Sequence, residues 1–133
     1  TLFAGMFYLQ KGIPFIYQGQ EFGMTNSWHE NFEEFRDVEN FDYYNRNPES
    51  LEERELVTRI NFGTRDNARR PIAWNGEKYG GFTTTVPWIP TYSRYKEINL
   101  EKDKNSQKSI FEFYKTLLSF RKSNQAILHG DYK

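Results

Sequence analysis

The chain of 133 residues is long enough for one ordinary domain or for part of a larger one. Its 18 basic and 18 acidic residues cancel, so the chain has no net charge that would attract nucleic acid. It has no cysteine, which excludes disulfides and thiolate metal sites. No apolar run approaches the roughly 18 residues of a membrane span, so neither nucleic acid nor a membrane is an expected partner.

The first elements predicted along the chain are a short helix and a buried strand. Apolar residues in the range 2–9 follow a helical period, and Gly12 is a suitable stop because glycine accepts the left-handed conformation. The continuous apolar run 13–17 predicts a strand that is buried on both faces, as in a parallel sheet. Gly19 and Gly23 then bracket a turn at the end of this strand.

A long polar and aromatic stretch follows, from Thr25 to about position 105. One helix is predicted within it, with Asn47 as its cap and an apolar stripe of Leu56, Val57 and Ile60. Excursions of this length in compact domains are functional or disordered, and the many aromatic rings argue against disorder.

The last strong pattern is a helix over 106–122, with Ser106 as its predicted cap. Its apolar residues recur at helical spacing, so the face that carries Phe113 and Leu117 is expected to be buried against the strand or a partner chain. Residues 125–133 are predicted to be a linker into another unit.

The order of these elements predicts an α/β fold in which the long loop leaves the carboxyl end of a buried strand. In (β/α)₈ barrels, loops at that end carry the binding and catalytic groups. A complete barrel needs roughly 200 to 400 residues, and the chain begins at Thr1 without methionine, so we expect a fragment. A lone strand has two unpaired edges, and self-association through these edges is expected.

The most informative motif is the segment from Arg65 to Trp74. Two arginines four positions apart flank a short polar turn, and a proline and a tryptophan follow. Such an array presents a fixed guanidinium beside an aromatic wall, which suits a neutral polyol better than a phosphate. Neither histidine, His29 or His129, has a partner at ligand spacing, so no metal site and no cofactor are expected.

Three segments, 12–24, 65–74 and 80–89, together resemble the oligo-1,6-glucosidase and α-glucosidase branch of the α-amylase family. The resemblance implies a fragment of a (β/α)₈ TIM barrel, with little regular structure in its active-site loop. Residues 1–124 would hold the seventh helix, the eighth strand, the long loop and the eighth helix. Residues 125–133 would begin the C-terminal β-domain.

The resemblance also implies an activity, that of a retaining, exo-acting α-glucosidase in the cytoplasm that cleaves α-1,6 or other α-glucosidic bonds of short oligosaccharides. The family uses an aspartate nucleophile, a glutamate acid/base and a second aspartate. All three belong to earlier strands, before Thr1. No catalytic residue is therefore assigned in this chain, and the chain alone is expected to be inactive.

Four residues are candidates for the binding site by the same resemblance. Arg69 matches an arginine that hydrogen-bonds the non-reducing glucose in the innermost subsite, although an ion pair with Asp66 or another acid is an alternative. Arg65 either contacts the substrate or, as the turn favours, braces the loop. Glu39 resembles a glutamate on the leaving-group side, with a helix-capping or surface role left open. Glu21 either orients catalytic neighbours from behind the site or accepts backbone donors at the strand exit.

The sequence departs from this family at the position after Arg69. Relatives usually carry Thr-Pro-Met-Gln-Trp there, whereas this chain has Arg70 and then Pro-Ile-Ala-Trp. Gln20 stands where relatives often have an acid. An extra cation beside the pocket would favour a phosphorylated sugar, so trehalose-6-phosphate hydrolase is the alternative enzyme. The alternative from another class is a catalytically inactive, glucosidase-like interaction module.

Overall fold

The computed structural model describes residues 1–46 and 52–131, and its regular structure within these ranges is helical, without a β-strand. None of the helices in these ranges has the length and apolar character that crossing a membrane requires. In chain order the α-helices are α1 (Leu2–Tyr8), α2 (Val38–Arg46), α3 (Glu53–Gly63), α4 (Leu100–Lys104), α5 (Ile110–Ser123) and α6 (Gln125–His129), and the 3₁₀ turns are Gln20–Phe22, Phe32–Glu34, Arg65–Arg69 and Lys78–Gly81.

Helix α5 is the element on which the two ends of the chain meet. It contacts α1, α4, α6 and the 3₁₀ turn 20–22. Ala4 and Tyr8 of α1 form a buried apolar cluster with Tyr114 and Leu117 of α5. The rings of Tyr8 and Tyr114 meet edge to face, with their centroids 5.6 Å apart. The predicted helix and the burial of Leu117 are confirmed, and Phe113 packs at the margin of this cluster. The predicted cover is wrong, because the face packs on α1 and not on the segment 13–17 or a partner chain.

The start of α5 differs from the prediction, because its cap is Ser109 and not Ser106. The Ser109 hydroxyl accepts a hydrogen bond from the amide of Glu112 at 3.1 Å. The carboxylate of Asp103 accepts the amides of Ile110 and Phe111, both at 2.9 Å. A helix start leaves its first amides without partners, and Asp103 satisfies two of them from the end of α4.

The predicted strand over 13–17 is wrong for this chain. Ile13 and Phe15 are about four-fifths exposed, and no segment of the described chain pairs with them. A strand exists through its hydrogen-bonded neighbours, and a parallel barrel strand takes both from other βα units. The expected self-association therefore has no strand edge to use within the described residues. Self-association of the chain itself stays a prediction.

The turn after this segment has the predicted glycines at both ends. Gly19 and Gly23 flank the 3₁₀ turn 20–22 with φ values of 89° and 75°. A side chain at position 19 would have its Cβ only 2.7 Å from Met24, so glycine is required there both by conformation and by space. The turn delivers Phe22 into a second buried cluster, which contains Ala73 and Tyr92.

The long central stretch contains more helix than the sequence pattern indicated. The predicted stripe of α3 is buried, and its Val57 and Ile60 pack on Phe35. Helix α2 and the short α4 were not predicted. The described part of α3 begins at Glu53, and the predicted cap, Asn47, lies outside the described residues.

The C-terminal segment contains a short helix where a linker was predicted. Asn124 is the N-cap of α6, because its side-chain oxygen accepts hydrogen bonds from the amides of Ala126 and Ile127 at 3.1 and 3.2 Å. The division of the chain into a barrel part, 1–124, and the start of a β-domain, 125–133, stays a prediction.

We predict that Asp103→Ala destabilises the full-length protein by about 1 to 2 kcal/mol, because two amides of α5 lose their acceptor. Urea unfolding of the variant measures this loss. Asp131→Ala is the matched control, since Asp131 is 87% exposed and contacts only the exposed Lys11 in the described structure. Equal stability of the two variants would show that α5 does not depend on the Asp103 cap.

Candidate functional site

The centre of the candidate site is a buried carboxylate that two arginines share. Asp37 is 1% exposed, and both of its oxygens accept hydrogen bonds from Arg65, from Nε at 2.6 Å and from Nη2 at 2.8 Å. Arg69 approaches the same carboxylate with Nη1 at 3.3 Å. The side chains of Arg65 and Arg69 are 45% and 38% exposed, so the cluster lies at the surface with its negative charge on the inner side.

The electrostatics of this cluster keep Asp37 ionised. The hydrogen bonds from the Arg65 guanidinium lower the pKa of Asp37 to about 2, although burial acts in the opposite direction. The amide of Glu39 and the charges of both arginines add to the lowering of this pKa. The same pair raises the pKa of Arg65. The arrangement therefore has the properties of a fixed ion pair and not those of a general acid.

The local sequence explains why the two arginines meet Asp37. Thr64 begins the 3₁₀ turn 65–69, since its side chain accepts the amide of Asp66. Asp66 is fully buried and accepts the amide of Arg36 at 2.8 Å, which fixes the residue just before Asp37. Asp66 thus places the partner of Arg69 and is not itself that partner. The alternative predicted for Arg69, an ion pair with Asp66 or another acid, is therefore met by another acid, Asp37.

Arg65 and Glu39, both predicted to bind substrate, are bound to each other. Glu39 lies in the first turn of α2 and places Oε1 3.0 Å from Nη2 of Arg65. Asp37 binds Nε and the same Nη2, so Arg65 has two anionic partners, whereas Arg69 has one ion-pair contact in the described structure. The geometry favours a bracing role for Arg65 and leaves Arg69 the more available guanidinium.

Glu21, predicted to orient catalytic neighbours from behind the site, lies in the turn 20–22, and this role stays a prediction. No hydrogen bond or ion pair of the described residues joins it to the Asp37 cluster, and its Oε2 is buried without a hydrogen-bond partner there. Burial raises the pKa of the Tyr114 hydroxyl, and the nearby charges of Tyr8 and Glu21 add to this. The carboxylate of Glu21 therefore lies close to α5.

A cleft lies beside the turn that carries the arginines. Residues 17–20 and 24–26 form one wall, and Thr64, Asn67 and Ala68 form the other. Its volume is about 310 Å³, at the lower end of the range of small-molecule sites. The Tyr17 hydroxyl donates to the carbonyl of Ala68 at 2.7 Å and ties the two walls together.

Arg70 does not stand beside the pocket as the sequence suggested. Its side chain is 1% exposed, and each of its three guanidinium nitrogens contacts an internal acceptor. A phosphate could not reach this group without displacing those contacts. The idea that Arg70 recognises a phosphorylated sugar is therefore wrong on structural grounds.

The sequence did not identify Asp37 as the centre of the site. It lies 28 positions before Arg65. The only sequence signal for Asp37 was its place in the Arg-Asp-Val-Glu segment, which resembles the family. Its burial depends on the fold of the whole stretch. Within residues 1–46 and 52–131, no group of three His, Cys, Asp or Glu side chains is placed to hold a metal ion.

A family model and a known relative each match almost the whole of this chain. The family model described as the alpha amylase catalytic domain matches residues 1–130. An oligo-1,6-glucosidase of Bacillus cereus is 41% identical over 98% of this chain, which covers 24% of the relative.

Two solved structures have the same fold over this region. The trehalose-6-phosphate hydrolase of Bacillus licheniformis matches 99% of the chain with a TM-score of 0.93 and 41% identity. The trehalulose synthase of Pseudomonas mesoacidophila matches 98% with a TM-score of 0.91 and 34% identity. The chain covers 24% of each of these structures, so it spans about a quarter of the length of the relatives it matches.

We predict that Asp37→Asn lowers the free energy of unfolding of the full-length protein by about 1 to 3 kcal/mol at neutral pH, because the two guanidinium groups lose their anionic partner. The pKa of Asp37 is lower in the folded state, at about 2, than its ordinary value of 3.8. Its contribution is therefore present above pH 3.8 and is lost as the pH falls towards 2.

Urea unfolding at pH 7, 5 and 3.5 measures the difference between the wild type and this variant. The difference should be constant from pH 7 to 5 and should begin to shrink only at the lowest pH. Asp42→Asn is the control, since Asp42 lies in α2 as a 60% exposed partner of Arg46. A difference that already falls between pH 7 and 5 would contradict the assignment.

Proposed function

This chain belongs to the alpha-amylase family, in its oligo-1,6-glucosidase branch, and we propose that it forms part of a retaining, exo-acting α-glucosidase. The substrates of the whole enzyme are short oligosaccharides with α-1,6 or other α-glucosidic bonds, and its location is the cytoplasm. The similarity to oligo-1,6-glucosidases over 98% of the chain supports this proposal. Because the similarity covers about a quarter of the length of those enzymes, we propose their activity for the whole enzyme of which this chain forms part.

The main support for the proposal is that Arg69 is anchored by one ion pair and remains partly exposed. Its guanidinium is held at one nitrogen by Asp37, and its side chain is 38% exposed. A guanidinium has five N–H donors in a planar fork and stays protonated at every physiological pH. One anchored nitrogen fixes the position of the group, and the remaining donors are available for two neighbouring hydroxyls of a sugar.

The other candidate residues have supporting roles in this proposal. Arg65 and Glu39 form a paired brace that keeps Asp37 and the turn 65–69 in place, with Glu39 at the outer edge where a second sugar unit would leave. Glu21 supports the turn 20–22 next to α5 and acts on the site only through that turn.

The catalytic carboxylates belong, in this proposal, to other strands of the barrel. Retaining hydrolysis needs a nucleophile and an acid about 5 to 5.5 Å apart on opposite sides of the bond. Asp37 is held as an anion in two ion pairs, and Asp66 is fully buried. Because both carboxylates are buried, neither is placed to reach a glycosidic bond as nucleophile, and the ionised Asp37 has no proton to donate as a general acid.

A second candidate function is that of a trehalose-6-phosphate hydrolase. The similarity to the Bacillus licheniformis enzyme, with a TM-score of 0.93, favours it. Because Arg70 is buried, a sugar phosphate would have to be recognised by cations other than Arg70. Comparing kcat/KM for isomaltose and for trehalose 6-phosphate in the full-length enzyme decides between the two candidates.

We predict that Arg69→Ala lowers kcat/KM for isomaltose by roughly ten- to 150-fold in the full-length enzyme, because a charged hydrogen bond of about 1.5 to 3 kcal/mol is lost. Arg69→Lys should recover little, since one ammonium cannot span two hydroxyls. Steady-state kinetics and a thermal melt of each variant measure both effects.

Arg94→Ala is the matched control for this experiment. Arg94 is 58% exposed and pairs with Glu97 at 3.0 Å, away from the Asp37 cluster. Its replacement should leave kcat/KM unchanged. A near wild-type kcat/KM for Arg69→Ala, or a loss explained by unfolding in the melt, would make Arg69 a structural brace and refute the assignment.

We predict that the isolated 133-residue chain does not hydrolyse p-nitrophenyl α-glucoside, because the nucleophile and acid come from outside it. The measurement is release of p-nitrophenol by chain purified over two columns. Turnover that co-elutes with the chain would show that it contains the catalytic pair, and the placement of the carboxylates elsewhere would then be wrong.

A further inference from the structure

Arg70 joins four separate segments of the chain through its side chain and its backbone carbonyl. Nε donates to Oδ1 of Asn67 at 2.8 Å, and Nη1 donates to the carbonyl of Pro90 at 2.8 Å. Nη2 lies 2.7 Å from Nε2 of His29. The carbonyl of Arg70 itself accepts a hydrogen bond from Gln18 at 3.2 Å. One buried residue thus connects a wall of the cleft, the segment near 29, the turn 65–69 and the segment near 90.

The contact with His29 assigns the tautomer of that ring. Arginine nitrogens only donate, so Nε2 of His29 must accept, and the ring proton stands on Nδ1. Nδ1 lies 3.1 Å from Oε2 of Glu34 and donates to it. The backbone of His29 is also fixed, since its amide and carbonyl both pair with the side chain of Asn61 at 2.8 Å. Arg70 is therefore oriented by a rigid chain of contacts that ends on α3.

The charge of Arg70 is buried among neutral acceptors. An amide oxygen, a backbone carbonyl and an imidazole contact the guanidinium, and the carboxylates of Glu34 and Asp66 act on it from a longer distance. Burial lowers the pKa of Arg70, which the two carboxylates partly oppose. Burying a charge in this way lowers the free energy of unfolding. The buried charge here is that of Arg70, the residue next to Arg69.

We propose that Arg70 is the positioning residue for Arg69. The turn 65–69 is held on its outer side by Asp37, through the two partly exposed arginines, and on its inner side by Arg70, through Asn67. Asn67 also accepts the amide of Ser27 at 2.9 Å, which joins the turn to the cleft wall. With both sides held, the Arg69 guanidinium has one location relative to the cleft. This inference rests on the proposed sugar-binding role of Arg69.

A double-mutant cycle in the full-length enzyme tests the inference. Arg70→Lys keeps the charge, but a single ammonium cannot reach three acceptors on different segments. We expect Arg70→Lys to lower kcat/KM for isomaltose about tenfold, mostly through KM, and to lower it less than about twofold when Arg69 is already alanine. Arg94→Lys is the control and should have no effect in either background.

A second pair of variants covers the case in which Arg70→Lys does not fold. His29→Gln keeps an acceptor for Arg70, whereas His29→Leu removes it. In the same cycle, His29→Leu should lower kcat/KM only where Arg69 is present, and His29→Gln should retain most of the activity. A melting temperature for each variant identifies losses caused by unfolding.

The outcomes separate this inference from the proposed function. Equal fold-losses for Arg70→Lys, or for His29→Leu, with and without Arg69 would overturn the inference and make Arg70 a general brace. An undiminished kcat/KM for Arg69→Ala alone would overturn the proposed function, and this inference with it. Losses confined to the enzyme that retains Arg69 support the inference.

Discussion

In the long central stretch, side-chain carboxylates and amides form hydrogen bonds with backbone groups that neighbouring strands would bind in a sheet. Asp66 accepts the amide of Arg36, and Asn61 pairs with both backbone groups of His29. These side chains are buried, and a buried polar group without a partner costs about 1 to 3 kcal/mol. Each contact therefore holds its segment in one place, and the path of the chain past the candidate site depends on them.

The turn 65–69 has a buried charge on each side, and the two charges have opposite signs and different surroundings. On one side a buried anion, Asp37, gathers two guanidinium groups that remain partly in water. On the other side a buried cation, Arg70, is surrounded by neutral acceptors. The outer arrangement leaves charge available to a ligand, and the inner one removes it from any ligand. In the proposed function, the two neighbouring arginines therefore have different roles, with Arg69 as the binding group and Arg70 as part of the framework.

The sequence predicted those features that depend on neighbouring residues. The stripes of α3 and α5, the glycines around the turn 20–22 and the pair Arg65 and Arg69 all follow from short spacings. The strand over 13–17 was wrong because its partners would come from other βα units. The roles of Asp37 and Arg70 were missed because their partners lie up to 41 positions away, and no local pattern reports which charge becomes buried.

The contacts of Arg70 also have an evolutionary consequence. An uncharged residue at position 70, such as the threonine usual in the family that this chain resembles, would leave the acceptor of His29 and the carbonyl of Pro90 without their donor. Replacing His29 by a residue without an acceptor would leave the buried guanidinium short of a partner. We therefore expect the effects of such substitutions at 29 and 70 on stability to be non-additive, so that a change at one position alters which residues are tolerated at the other.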